Sequence, residues 1–280
     1  MSRAFRALTR HFFRQFFQAE LGAGDGGYGA TQVLSLLASP GAIMSFLLFA
    51  KYSPLMRWFR RDFQFDMDVA SLPDKYTFIA LSMTVTGIVA VLRWDTLFPD
   101  RRDFVNLCPL PLRSRSILLA KTLALTGFVL IFIATVNLCS TVFFPLIALE
   151  GNVHPPTALR FIAAHGIAVC AAGLWTFASF LALMGTLMVV LPYAVFRRFQ
   201  RYIQFVCIVA LILLFLSATG MGPMLEAIRT GASVQAEWLP PAWFLGLYQI
   251  VQGKASGSFG ALGERAWQAL LLAIPLAAVA

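Results

Sequence analysis

Apolar residues in this chain come in long runs, and short polar segments divide them. Runs near 31–50, 76–92, 117–148, 161–195 and 202–219 each reach or approach the length of a bilayer-crossing helix, and a further run starts near 266. A crossing needs about 17–25 predominantly apolar residues, and in lipid only a helix or a closed barrel satisfies every backbone polar group. The pattern therefore predicts an all-α, polytopic helical membrane protein. At about 1.5 Å per residue the third and fourth runs exceed a hydrocarbon core of about 30 Å, so they are expected to tilt or to project beyond it. The last run, WQALLLAIPLAAVA, has 14 residues and falls short of crossing. Either the final helix is partial or, the reading favoured here, the sequence is a piece of a longer protein, with five full spans and the start of a sixth.

The first 30 residues follow another pattern. RAFRALTRHFFRQFFQA, residues 3–19, spaces Arg3, Arg6, Arg10 and Arg14 by three or four, with Phe5, Leu8, Phe12, Phe13, Phe16 and Phe17 filling the rest of the wheel. That is the pattern of an amphipathic helix in the membrane interface. LGAGDGGYGA, residues 21–30, fits G-x-G-x-x-G twice, yet a dinucleotide fingerprint needs a strand before it and a helix facing phosphate after it. It reads as a glycine hinge ahead of the first span. Pro40 and Gly41 interrupt that span, which leaves a re-entrant course as the alternative to a crossing. Near the other end, residues 220–265 include WLPPAWFLGLYQIVQG, whose Trp238, Trp243 and Tyr248 around Pro240 and Pro241 predict a short aromatic helix at or dipping into the outer interface.

Composition agrees with this layout. The chain is 59% hydrophobic and 12% charged, against about 45–50% and about 25% for soluble domains. Its net charge of +9 sits in short segments beside the spans, where anionic headgroups are nearer partners than nucleic acid. Four scattered cysteines, Cys108, Cys139, Cys170 and Cys207, form no C-x-x-C pair, so neither a disulfide framework nor a zinc site is expected. With the N-terminus inside, the cytoplasmic segments 1–30, 93–116 and 196–201 hold four, five and three Lys or Arg; the opposite segments 51–75, 149–160 and 220–265 hold five, one and three over more chain. The bias places the N-terminus in the cytoplasm. Segment 51–75 resists it, with Lys51, Arg57, Arg60 and Arg61 on the poorer side.

Catalytic chemistry is sparse. His11, His154 and His165 show no metal-ligand spacing, so no metal site is expected. The nearest approach to a phosphate-binding loop, Gly253-Lys254, has Tyr248 in place of the first glycine and Ala255 in place of the hydroxyl. No cofactor is expected, and if ATP drives the protein its site is on another chain. Asp95, Asp100 and Asp103 cluster among Arg93, Arg101 and Arg102, which reads as an ion-paired face before a catalytic pair. Asn137 and His165 lie inside spans, where polar side chains mark a pathway or hold helices together.

FPDRRDFVNLCPLPLRSRS, residues 98–116, carries the most information. Pro99 suits the first turn of a helix, Asp100 and Asp103 suit its dipole, and Phe104, Leu107 and Cys108 share one face. Pro109 and Pro111 end the helix, and Ser114 or Ser116 can cap the next one at Ile117. A rigid elbow of this kind suits a surface that passes force to something docked from the cytoplasm. The acidic amphipathic stretch, then L-x-P-L-P-L-R, a basic-serine turn and I-L-L-A-K, resembles the loop between the second and third helices of type-2 ABC exporter permeases, the membrane subunits of ATP-binding-cassette transporters. The N-terminal helix, six spans per unit and a long segment between the fifth and sixth agree with that layout.

The resemblance implies an exporter permease in a bacterial-type inner membrane, paired with a cytoplasmic ABC ATPase subunit and a second permease copy. It implies that Asp100, Arg101, Arg102, Asp103 and Phe104 form the ATPase-coupling element, followed by Leu110, Pro111, Leu112 and Arg113, with Lys121 early in the third span. No catalytic residue is expected in this chain. The rival expectation is an integral-membrane enzyme acting on lipid or lipid-linked substrates, for which only the 95–103 acids could serve. A secondary transporter would need carboxylates inside the spans, and the runs above contain none.

Overall fold

The structure, a computed structural model, describes residues 3–21, 28–53, 67–92, 114–148, 155–231 and 238–279. These form nine α-helices and one 3₁₀ turn, with no strand among the described residues. In order they are α1 (Arg3–Leu21), α2 (Tyr28–Tyr52), α3 (Met67–Leu92), α4 (Ser114–Ala148), α5 (Pro155–Val190), α6 (Tyr193–Ser217), α7 (Gly222–Thr230), α8 (Pro240–Gln252) and α9 (Phe259–Val279). Four stretches are long and apolar enough to cross a membrane: Val69–Leu92, Leu119–Ala148, Pro155–Val190 and Ala194–Gly220. This is an all-α membrane protein.

Helices outrun the apolar runs that announce them. The run near 76–92 belongs to a helix beginning at Met67, so Asp74 and Lys75 lie inside α3 and inside its candidate span. The expectation that no span holds a carboxylate is thereby corrected. α4 already starts at Ser114, three residues before the expected Ile117, and α6 starts at Tyr193 where the apolar run starts near 202. The run near 161–195 forms a helix from Pro155 to Val190. Pro156 fits a first turn, and Pro192 disfavours helical geometry at Leu191, which ends it. The final helix opens at Phe259 and not near 266. α2 continues unbroken through Pro40. The glycine hinge at 22–27 and the basic segment 54–66 lie outside the described residues.

α3 occupies the centre: 67% of its most apolar window is buried, against 11% for α6. Side chains explain the difference. Gly173 of α5 lies against α3, where a Cβ would stand 3.1 Å from Ser82 Oγ and 3.2 Å from Thr86 Oγ1, so α3 can approach closely. In lipid such small-residue faces pack by van der Waals contact, since the tails are as apolar as leucine. α6 instead exposes Phe205, Leu213 and Leu216, a face suited to acyl chains and costly in water.

The bundle has two distinguishable ends. At the base, Leu8 and Phe12 of α1 pack on Ala120 and Ala124 near the start of α4, and Val91, Met184 and Phe196 join α3, α5 and α6. At the far end, Tyr52, Phe144, Phe161, Tyr248 and Phe259 bring together α2, α4, α5, α8 and α9. α8 and α9 form a tight helical hairpin at that end. A Cβ on Gly246 would stand 2.5 Å from the Gly263 nitrogen and 2.6 Å from the Phe259 oxygen, so only glycine permits this approach. Gly253 closes α8 at φ 74°, with its N–H donating to Ile250 O (3.0 Å) and Lys254 N–H to Gln249 O (2.9 Å). This is a Schellman closure. The Gly253-Lys254 pair weighed above as a failed phosphate loop is thus a helix terminus.

Candidate functional site

Polar side chains gather at the far end. Lys51, near the end of α2, places Nζ 2.6 Å from Asp74 Oδ2 and 2.8 Å from the Ala70 carbonyl oxygen. The Tyr52 hydroxyl donates to the same Asp74 oxygen. Asp74 therefore accepts from an ammonium and a phenol, which satisfies a carboxylate that is only 8% exposed. The pair ties the end of α2 to the start of α3.

One residue on, Lys75 points inward and is completely buried. Its Nζ donates to Gln252 Oε1 of α8 at 2.9 Å and lies 5.2 Å and 5.0 Å from the ring centroids of Phe161 and Tyr248. Two aromatic faces and an amide oxygen offset part of the desolvation cost of a buried ammonium. Together they lock α3 to α5 and α8.

Beside this lock lies an aromatic cage. His165 stands edge-on to Phe78 at 5.3 Å and to Tyr248 at 5.7 Å, with Phe144 at 5.1 Å. Neither imidazole nitrogen has a hydrogen-bond partner among the described residues, nor does the Tyr248 hydroxyl or Gln249 Oε1. Buried polar atoms without partners cost about 1–3 kcal/mol each. Such a cost is a common mark of a functional place. A mainly apolar groove of about 390 Å³ opens between Val69, Leu72 and Pro73 of α3 and Gly222, Pro223, Leu225 and Glu226 of α7.

Asn137, named with His165 in the sequence reading, holds helices together. Its Nδ2 donates to Ser82 Oγ and to the Ile133 carbonyl oxygen, both at 2.9 Å, and Ser82 donates to Val169 O at 2.8 Å. The chain α4 to α3 to α5 is a polar pin. Ser82 lies one turn from Phe78, and Val169 one turn from His165, so the pin sits one turn deeper than the cage.

The coupling residues Asp100, Arg101, Arg102, Asp103, Phe104, Leu110, Pro111, Leu112 and Arg113 lie outside the described residues, as do Asp95 and His154. Lys121 is described: it is buried at the base, with Nζ 5.6 Å from the Phe12 ring centroid. The aromatic helix expected at the outer interface is α8, and it enters the core, since Phe244, Leu245 and Tyr248 are wholly buried while Trp238 ahead of it is exposed. Sequence reasoning missed Lys75, Tyr52 and Gln252. A signal was present for Lys75: Leu72, Tyr76, Ile79 and Met83, all buried, repeat at four, three and four, so the helical period extends back through it.

Chemically the cluster locks helices together. No three of His, Cys, Asp or Glu among the described residues could share a metal ion. Cys139, Cys170 and Cys207 are free thiols. No family model, curated protein or solved structure matches the chain.

Proposed function

We propose that this chain is the membrane-spanning permease subunit of an ATP-driven ABC transporter, an exporter by its resemblance. In this reading it sits in a bacterial-type inner membrane with a cytoplasmic N-terminus. It works with a separate cytoplasmic ATPase and a second permease copy, and it handles no nucleic acid. The observation that carries the reading is α4. This helix begins at Ser114, inside the 95–116 coupling segment, and runs for 35 residues without a break, about 52 Å at about 1.5 Å per residue. Its first turns are braced by α1, and its last turns place Phe144 against Phe78 and His165. A push on the coupling segment would reach the far-end lock through one stiff element.

The test starts with association. The full chain is expected to co-purify with an ABC ATPase encoded beside it, and Arg101→Glu with Arg102→Glu is expected to weaken that complex at least about tenfold through like-charge or lost-pair contacts. No adjacent ATPase, or a complex indifferent to both substitutions, contradicts the proposal.

Asp74 gives a second reading a foothold, because an intramembrane carboxylate suits an ion-coupled secondary transporter. Asp74→Asn separates the two. A secondary transporter loses ion coupling with no ATPase present, whereas an ATPase-driven permease keeps its dependence on ATP. The membrane-enzyme reading gains less, since Lys75 and His165 are fully enclosed.

A further inference from the structure

The base of the bundle carries positive charge that no described carboxylate neutralises. α1 turns Leu8 and Phe12 to α4 and leaves Arg6, Arg10 and Arg14 exposed at four-residue spacing. α6 opens at the same end with Arg197, Arg198 and Arg201, all exposed. None of the six guanidiniums pairs with a described carboxylate; the ion pairs Lys51 to Asp74 and Arg229 to Glu226 are both at the far end. The sequence explains this asymmetry: α4, α5 and α6 contain no Asp or Glu, and α1 has none before Glu20.

Apolar exposure identifies the partner. Phe199 and Tyr202 stand exposed among the α6 arginines, and Leu119 and Leu123 of α4 stand exposed beside the α1 contact. Guanidiniums next to exposed aromatic and aliphatic side chains fit the boundary between headgroups and acyl chains. A nucleic acid or an acidic protein would satisfy the charges and leave those apolar groups in water. We propose that the α1 and α6 arginines form two binding sites for the phosphates of anionic phospholipids. Arginine suits this task because its planar fork meets phosphate oxygens in pairs. Each basic residue near an anionic surface is worth about fivefold in binding.

The test uses the purified full chain in detergent, titrated with phosphatidylglycerol or phosphatidylcholine, with retained lipids counted by native mass spectrometry. Phosphatidylglycerol is expected to be held at least about tenfold more tightly at low salt, with the preference shrinking as salt screens the charges. Changing all six arginines to Gln should abolish the preference, and changing them to Lys should keep most of it. Equal retention of both lipids by the native chain, or an undiminished preference in the Gln variant, overturns the proposal. If the sixfold Gln variant does not fold, triple Gln variants confined to α1 or to α6 replace it. Each should lose part of the preference, and no loss in either overturns the proposal.

Discussion

Replacing Lys75 with alanine is expected to destabilise the chain by about 2–5 kcal/mol, seen as a fall on the order of 10 °C in the thermal unfolding midpoint in detergent. Two losses add. The side chain fills a fully enclosed space between Phe161 and Tyr248, and truncation leaves a cavity there. Gln252 Oε1 also loses its donor, and a buried acceptor without a partner costs about 1–3 kcal/mol. Methionine separates the two effects. Lys75→Met keeps most of the volume and removes the ammonium, so it should cost only the orphaned oxygen. The double variant Lys75→Met with Gln252→Leu removes both partners and is expected to return to within about 1 kcal/mol of the native chain, as buried polar pairs often do when replaced together. A Lys75→Ala variant that melts with the native protein would mean that the lock is absent.

The second large effect concerns the hairpin. Gly246→Leu is expected to destabilise by about 3 kcal/mol or more, because its first side-chain carbon would collide with backbone atoms of α9 and not with a flexible side-chain tip. The hairpin is itself the platform for Tyr248, Gln249 and Gln252, so the variant should also disturb the far-end cluster. Limited proteolysis in the 253–258 turn would report it, with cleavage rising several-fold as α8 leaves its seat. A control placed at an open position, Gly260→Ala, has room for its methyl group and should match the native chain in both measurements. If Gly246→Leu also matches, α8 and α9 do not pack as described.

Both predictions rest on features that the sequence reveals unevenly. Fold class was legible because lipid imposes one rule on long apolar runs: the runs at 76–92, 117–148 and 202–219 fall in helices, and the run at 161–195 is helical except for the break at Leu191 and Pro192. Helix limits were not, because hydropathy marks hydrocarbon while a helix continues into polar surroundings. The arginines at 197, 198 and 201 hid the first two turns of α6, and Asp74 with Lys75 hid the start of α3. Each belongs to a helix whose period was present in the apolar positions beyond the charge.

The site shows the same limit more sharply. Asn137 and His165 stand out as polar residues in apolar runs, and both prove to be buried between helices. Lys75 gains its meaning from Gln252, which is 177 positions away, and no local pattern announces such a pairing. Tyr248 looked like an interfacial aromatic because Trp238, Pro240 and Pro241 precede it. Its burial follows from Gly246 and Gly263, which let α8 sink into the core beside α9.

In the proposed permease, α4 joins the ATPase-docking segment 95–116 to the lock at the far end. The ATP hydrolysis rate of the purified complex carrying Lys75→Met with Gln252→Leu, a variant expected to fold and to keep its ATPase, reads this coupling. A several-fold change in rate with association intact is expected, because the altered lock lies at the other end of a helix about 52 Å long. An unchanged rate in a correctly assembled complex would contradict it.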